Sequence, residues 1–382
     1  MYLHAVLGAA LASAAPVTFT EVRLPITARS MDVLVVDLNN DGCSEVIEVN
    51  NLDEPDFVHT LACDALGTVQ ATRRVEVPMG AGADPYVQNG HVAAMIGSGQ
   101  LFIGANRYPD WVFPITAGRV DARPVGSPQP AGFPCDDDQG TATWGAASGL
   151  VDRADLFPDL IVASLSTCGL PGVMLYRGNA LGTWSTTPAI RIGSNEDAYA
   201  VVLADVVGDA AEDVVVANDG VNQVFESVRC PPGVRSFCSV PHTFGPDTRT
   251  DDVAVGDLDG DGASEVVSAS RSGLGSVIEL WSDELSVRAT IGATVIAYGV
   301  ELADVDGDAD LDVLVATVDG ALWFDNEAGV FVPRVVSRGV VTREVVGADV
   351  DGDGCTDLVV ANFSDAVGAA VANSVFLSAC GA

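Results

Sequence analysis

The sequence predicts an all-β chain built from tandem four-stranded antiparallel units. Three observations predict it. First, a short acidic loop followed by an apolar run recurs: DLNNDGCSEVIEVN from Asp37, DLDGDGASEVVSAS from Asp257, DVDGDADLDVLVAT from Asp304 and DVDGDGCTDLVVAN from Asp349. Second, worn copies start at Ala93, Val151 and Asp205, so the starts fall at 37, 93, 151, 205, 257, 304 and 349. A period near 50 residues over nearly the whole chain is the mark of a repeat architecture. Third, the runs between the loops are short, rich in Val and Leu, and separated by Gly, Asp and Asn, which is the pattern of strands rather than helices.

Each unit reads in the same order. A strand precedes the loop (Val33 to Val36) and a second follows it (Val313 to Ala316). A third carries aromatics (Ala321 to Phe324, or Val375 to Leu377), and a fourth follows a turn (Val330 to Val332). Seven units of four strands predict a seven-bladed β-propeller of antiparallel blades. The last unit runs out of chain after its third strand. The segment Val17 to Ile26 lies upstream of the first unit and is the candidate fourth strand that closes the ring and covers its open edges.

The chain has 53 acids against 18 bases, all arginine, for a formal charge of −35. Phosphate binding needs clustered basic residues, so nucleic acid is not an expected partner. With 48% hydrophobic residues the acidity does not signal disorder. Residues 1–14 read as a signal peptide ending in Ala12-Ser13-Ala14, without a basic n-region, and 15–382 as one propeller. No later stretch is long and apolar enough to span a membrane. These features predict a secreted or extracytoplasmic chain.

The acids have a metal-ligand spacing. In the four intact loops carboxylates or amides occupy positions 1, 3, 5 and 9: Asp37, Asn39, Asp41 and Glu45; Asp257, Asp259, Asp261 and Glu265; Asp304, Asp306, Asp308 and Asp312; Asp349, Asp351, Asp353 and Asp357. Carboxylates this close repel one another. A hard cation that takes roughly 6–8 oxygens at about 2.3–2.6 Å relieves the repulsion, and calcium suits such a cage better than magnesium. About four calcium ions are expected. The first loop also matches an EF-hand through Glu48 at position 12, but strands flank it where helices are needed. The loop at Asp205 has Val207 at position 3, which leaves its metal site open. The loop at Val151 has Val151 and Arg153 at ligand positions and is expected to bind none.

These loops and the strands after them resemble the FG-GAP/VCBS repeats, the family that includes the propeller of integrin α subunits. The resemblance implies a seven-bladed propeller with calcium between the first and second strands of a blade. It also implies ligand binding on the face opposite the calcium loops.

Alternate turns of a propeller share one face, and this arranges the eight cysteines. Cys43 and Cys355 sit at position 7 of acidic loops, with Cys63 and Cys380 near the ends of third strands on the same face. Cys230 and Cys238 flank a third-to-fourth turn, and Cys135 and Cys168 fall on the opposite face. The expected bridges are 43–63, 135–168, 230–238 and 355–380. The longer insertions lie on the face away from the acidic loops. There Tyr86, Tyr108, Trp111 and Phe133 form a candidate ligand patch, although packing down their own loops is the simpler role for these aromatics.

No HExxH, GxSxG or Walker pattern occurs, and no catalytic residue is identified. Asn362-Phe363-Ser364 is a glycosylation sequon that reads as a chance match. The expected function is a calcium-stabilised binding or adhesion module with an unknown protein or carbohydrate ligand. The alternative is a propeller enzyme, a lyase or hydrolase, acting on polysaccharide.

Overall fold

The computed structural model describes residues 17–379 except 52–53, 64–68, 77–89, 97–98, 106–109, 121–141, 152–156, 166–171, 180–189, 194–196, 232–236, 274 and 283. Every regular element among them is a β-strand. The chain opens with β1 (Phe19–Ala28). The first four-stranded sheet is β2 (Ser30–Val36), β3 (Glu45–Asn50), β4 (Phe57–Cys63) and β5 (Val69–Glu76). The second is β6 (Gly90–Ile96), β7 (Gln100–Ala105), β8 (Trp111–Thr116) and β9 (Arg119–Val120). The third is β10 (Thr143–Gly149), β11 (Asp159–Ser164), β12 (Val173–Tyr176) and β13 (Ile190–Ile192). A six-stranded sheet follows: β14 (Ala198–Ala204), β15 (Asp213–Val228), β16 (Cys238–Gly256), β17 (Glu265–Ser272), β18 (Gly275–Trp281) and β19 (Val287–Thr294). Then come β20 (Ala297–Ala303), β21 (Asp312–Thr317), β22 (Gly320–Glu327) and β23 (Val330–Val335). The last sheet is β24 (Val340–Ala348), β25 (Asp357–Asp365) and β26 (Val371–Ser378), with β1 as its outer strand. The strand pairings among the described residues are antiparallel, in the up-and-down order of a β-propeller.

The expected seven separate four-stranded sheets are therefore six hydrogen-bonded sheets. The reason is local. β16 runs on without a break, pairing with β15 as far as Arg249 and with β17 from Thr250. What would have been the turn between two units stays within the strand, as an irregularity at Gly245 where φ is +82°.

The apolar packing keeps the shorter period. The described residues form seven hydrophobic clusters, each built from neighbouring units. One of them lies inside the six-stranded sheet, where Val215, Ala217 and Val224 of β15 meet Val253, Val266 and Trp281. The second strands are buried along their length, as β3, β11 and β21 illustrate, because both of their faces meet neighbouring sheets.

The first strands neighbour one another in a closed circuit: β2, β6, β10, β14, the second half of β16, β20, β24 and back to β2. Each carries a one-residue bulge at the same register. Ser30 faces Asn50 while Asp32 faces Val49, which leaves Met31 extra. The extra residues of the other six ladders are His91, Trp144, Tyr199, Asp251, Tyr298 and Arg343.

Closure follows from β1. It pairs with β26 from Phe19↔Ser378 to Ala28↔Val371. Phe19 sets its ring edge-on to Trp323 and Phe376, at 6.3 and 6.4 Å between centroids. Leu24, on the same strand, is buried with Val33, Val46, Val359 and Val375, so one residue joins the first and last sheets. Leu24→Ala should destabilise the protein by about 2–4 kcal/mol through lost burial and a residual cavity. Val330→Ala, at a position 64% exposed, should change little. Urea denaturation of both variants checks the difference, and equal midpoints would contradict the closure role.

Candidate metal centres

The acidic loops connect β2 to β3, β14 to β15, β16 to β17, β20 to β21 and β24 to β25. All five share one backbone path. Positions 4 and 6 have left-handed φ angles: Asn40 and Gly42, Gly208 and Ala210, Gly260 and Gly262, Gly307 and Ala309, Gly352 and Gly354. This is why Gly, Asn and small residues recur there. The position-1 aspartate closes the turn. Asp304 accepts from the amides of Gly307 at 2.8 Å and Ala309 at 3.0 Å, and Asp349 does the same for Gly352 and Gly354. The position-5 aspartate accepts from the amide two residues on, as Asp308 does from Asp310 and Asp353 from Cys355.

With the backbone so held, three groups of carboxylate oxygens converge to within 4.8 Å of one another: Asp304, Asp306 and Asp308; Asp349, Asp351 and Asp353; Asp257, Asp259 and Glu265. Asp306 adds an independent sign, since its Oδ1 is buried with no hydrogen-bond partner. Burial first, and then neighbouring carboxylates, raise the pKa values of Asp306 and Asp351. An all-oxygen donor set of this charge fits a hard divalent cation of the calcium type.

Position 9 has a different task in the loops that carry aspartate there. Asp312 Oδ2 accepts from Val305 N at 2.9 Å and Oδ1 from Asn326 N at 2.7 Å. Asp357 accepts from Val350 N and Ser378 N in the same way. Both oxygens are thus engaged by backbone, tying the loop to the third strand, and both residues stand outside the converging groups. Burial pushes Asp312 up to about 7 and Asp357 up to about 6. Glutamate reaches further. Glu265 Oε2 accepts from Leu258 N, and the side chain still joins Asp257 and Asp259. Glu45 accepts from Leu38 N with one oxygen and from Asn39 Nδ2 with the other, both at 2.9 Å. The loop at Asp37 therefore offers Asp37, Asp41 and Glu45 with an amide, not a third aspartate, at position 3.

The worn loop at Asp205 keeps the scaffold without the donors. Asp205 caps Gly208 and Ala210, and Asp213 spans Val206 N and Ser227 N. Val207 supplies no oxygen at position 3. In the preceding unit Val151 is fully buried in the core, so position 1 has become packing; Arg153 lies outside the described residues.

Two predicted bridges are present, Cys43–Cys63 and Cys230–Cys238. Cys355 is disulfide-bonded as well, and its expected partner Cys380, like Cys135 and Cys168, lies outside the described residues. Of the aromatic patch, Tyr86, Tyr108 and Phe133 lie outside the described residues. Trp111 packs against the core of the first and second sheets, which is the simpler of its two expected roles. Asn362 is 4% exposed, with its Nδ2 donating to Ala372 O, so the sequon is closed to modification in the folded chain.

Sequence reasoning missed Arg288. From β19 its guanidinium reaches Asp259, and it donates to Glu265 Oε1 at 3.1 Å. The bond from Arg288 holds Asp259 below the usual carboxylate range. No loop motif marks this arginine, because it comes from the fourth strand, 29 residues beyond Asp259. One carboxylate group thus carries its own monovalent counter-charge, and the groups at Asp304 and Asp349 have none among the described residues. Arg288→Gln should tighten cation binding at the Asp257 loop by roughly threefold to tenfold. Calcium titration calorimetry at low salt reads this, and an unchanged or weaker affinity would refute the competition.

No protein-family model matches the chain, and no curated protein matches it. Solved structures do. A structure of BBS1N in complex with ARL6DN is similar with a TM-score of 0.60 and 11% identity, covering 94% of this chain and 96% of that one. The WD40 β-propeller domain of Doa1 is similar with a TM-score of 0.56 and 14% identity, covering 93% and 96%. At such identities the likeness speaks for the architecture alone, and the architecture is a β-propeller.

Proposed function

We propose that the chain is an exported, calcium-binding β-propeller of seven FG-GAP/VCBS-like units, and that it works as a binding or adhesion module for a protein or carbohydrate ligand. The seven-unit reading is supported by the seven apolar clusters and by the seven bulges at one register. On this reading the six-stranded sheet is two units of four strands in which β15, the second and third strands of one unit, and β16, its fourth strand and the first strand of the next, are each continuous. Export is supported by the disulfides, which persist in oxidising compartments. We assign no catalytic residue.

The observation that carries the calcium reading is the convergence of carboxylates in three separate loops, at positions 1, 3 and 5 in two of them and 1, 3 and 9 in the third, together with the unpartnered Asp306 Oδ1. The residues that would hold the ions are the acids of positions 1, 3 and 5, with Asn39 in the first loop and glutamate at position 9 in two loops. A bound cation would neutralise charge that otherwise repels itself across each turn. The anchor aspartates of position 9 would hold the loop in shape around it. A scaffold braced in this way offers rigid faces on which loops can recognise a partner.

Metal analysis of the calcium-saturated protein should find about four ions per chain. A site held at a hundred times its Kd contributes about 2.7 kcal/mol, so EDTA should lower the melting temperature and calcium should restore it. Asp306→Asn and Asp353→Ala should each remove about one ion and leave the rest, since the loops belong to different units. An ion count near zero with a melting temperature indifferent to EDTA would sink the proposal.

A further inference from the structure

The bulge residues of the first strands meet on the axis. Met31, Trp144, Tyr199, Asp251, Tyr298 and Arg343 all line one cavity of about 160 Å³. His91 has the same register on β6. A bulge re-aims one side chain out of the alternating pattern, and here the same device is used around the whole circuit. Each first strand runs from its bulge toward its loop, so the cavity lies toward the face opposite the acidic loops.

The charges at this mouth are not balanced as they are elsewhere in the chain. Asp251 is shared by Arg249 and Arg271. The Arg249 guanidinium lies over the Tyr199 ring at 3.9 Å. Arg343 sits 3.9 Å from the Tyr298 ring centroid and 4.8 Å from that of Phe363, so aromatic rings pack against its guanidinium. It makes no ion pair among the described residues, and its Nε–H is buried with no acceptor. A half-buried guanidinium with an unused donor calls for a planar anion, and a carboxylate matches the fork of its N–H groups.

The rest of the lining selects the body that carries the carboxylate. A cavity of roughly 150 Å³ holds one benzene-sized ring, so a single ring fits. Trp144 and Tyr199 meet edge to face at 5.6 Å and give an aromatic wall, suited to the apolar face of a sugar. Beyond them lie Asp32, Asp252 and Glu344. Asp32 accepts from Ala93 N at 2.7 Å, and Asp252 from Val300 N at 2.8 Å and Val253 N at 2.9 Å, so each is fixed in place at the cavity wall. Burial pushes Asp32 up to about 7 and Asp252 up to about 8, where a protonated carboxyl can donate as well as accept. A flat hydrocarbon acid would leave these groups without partners; ring hydroxyls would satisfy them.

We propose that this axial cavity binds one acidic sugar residue, with its carboxylate on Arg343, its ring against Trp144 and Tyr199, and its hydroxyls on Asp32, Asp252 and Glu344. The inference deepens the binding-module reading and rests on it for the intact ring. The test is calorimetric titration of the calcium-saturated chain with the methyl glycosides of glucuronic acid, galacturonic acid, glucose and galactose, and with benzoate. At least one uronide should bind, at least about tenfold more tightly than its neutral counterpart, the range of one charge-assisted hydrogen bond. Arg343→Gln should abolish that preference, while Arg338→Gln, at an exposed position, should keep it. Neutral sugars binding equally well, or benzoate binding as well as the uronides, would overturn the assignment. So would the absence of any acid binding to a chain that is folded and loaded with calcium. The comparison among ligands needs only the wild-type chain, so it stands if Arg343→Gln does not fold. Uronide binding by a chain that takes up no calcium would leave this site standing and remove the calcium reading alone.

Discussion

The interaction on which this fold depends is one carboxylate at the start of the second strand, present in every sheet but the second. Asp213, Asp312 and Asp357 each take one backbone N–H from the loop before them and another from the third strand beyond. Buried backbone amides must find acceptors, and at these places no strand can provide one. A single ionisable side chain meets the need twice and fixes the angle between a loop and two strands. Asp159 does part of the same work for Gly178 N in the third sheet. This anchor recurs more faithfully than the cation donors do, and it survives at Asp213, where position 3 has already become valine.

Much of this was legible in the sequence. The period, the strand order within a unit and the use of the N-terminal strand to complete the last sheet all follow from apolar runs and turn residues, which act locally. The four intact loops were legible because position, residue type and spacing repeat together. The division of labour inside each loop was not. Position 9 looks like a fourth ligand in a linear pattern, and only the third strand, 14 and 21 residues further on, reveals that Asp312 and Asp357 also tie the loop to that strand. The continuity of β16 was also hidden, since Gly245-Pro246-Asp247 reads as a turn and is instead an irregularity within the strand, with Gly245 at φ +82°. The bulge residues have a faint signature. Met31, Tyr199, Asp251, Tyr298 and Arg343 each precede a first loop residue by six positions, yet they share no chemistry, because a bulge fixes where a side chain goes and not what it is.

The two faces of the ring handle charge in opposite ways. On the loop face, carboxylates are crowded into short turns, and their repulsion is relieved by backbone donors, by Arg288 at one loop, and on our proposal by cations. On the axis, acids are spread among different strands and half-buried, and desolvation raises their pKa values above the usual carboxylate range. Three arginines gather at the mouth above them, although arginine is scarce in the chain. The placement sets guanidinium groups beside the acids of this one opening.

The worn units indicate how stability divides between these parts. The second sheet has no acidic loop between β6 and β7, and the third has buried Val151 where an acid would stand. Both still pack as their neighbours do, through clusters of the same kind. The apolar seams between units are therefore sufficient to hold a unit in the ring, and β1 is what makes the ring continuous. Acidic loops then act locally, each governing the shape of one turn and the first strands that enter it. Those strands run from the axial bulges to the loops, so about seven residues separate a loop from the cavity. The two faces are thus connected by the first strands.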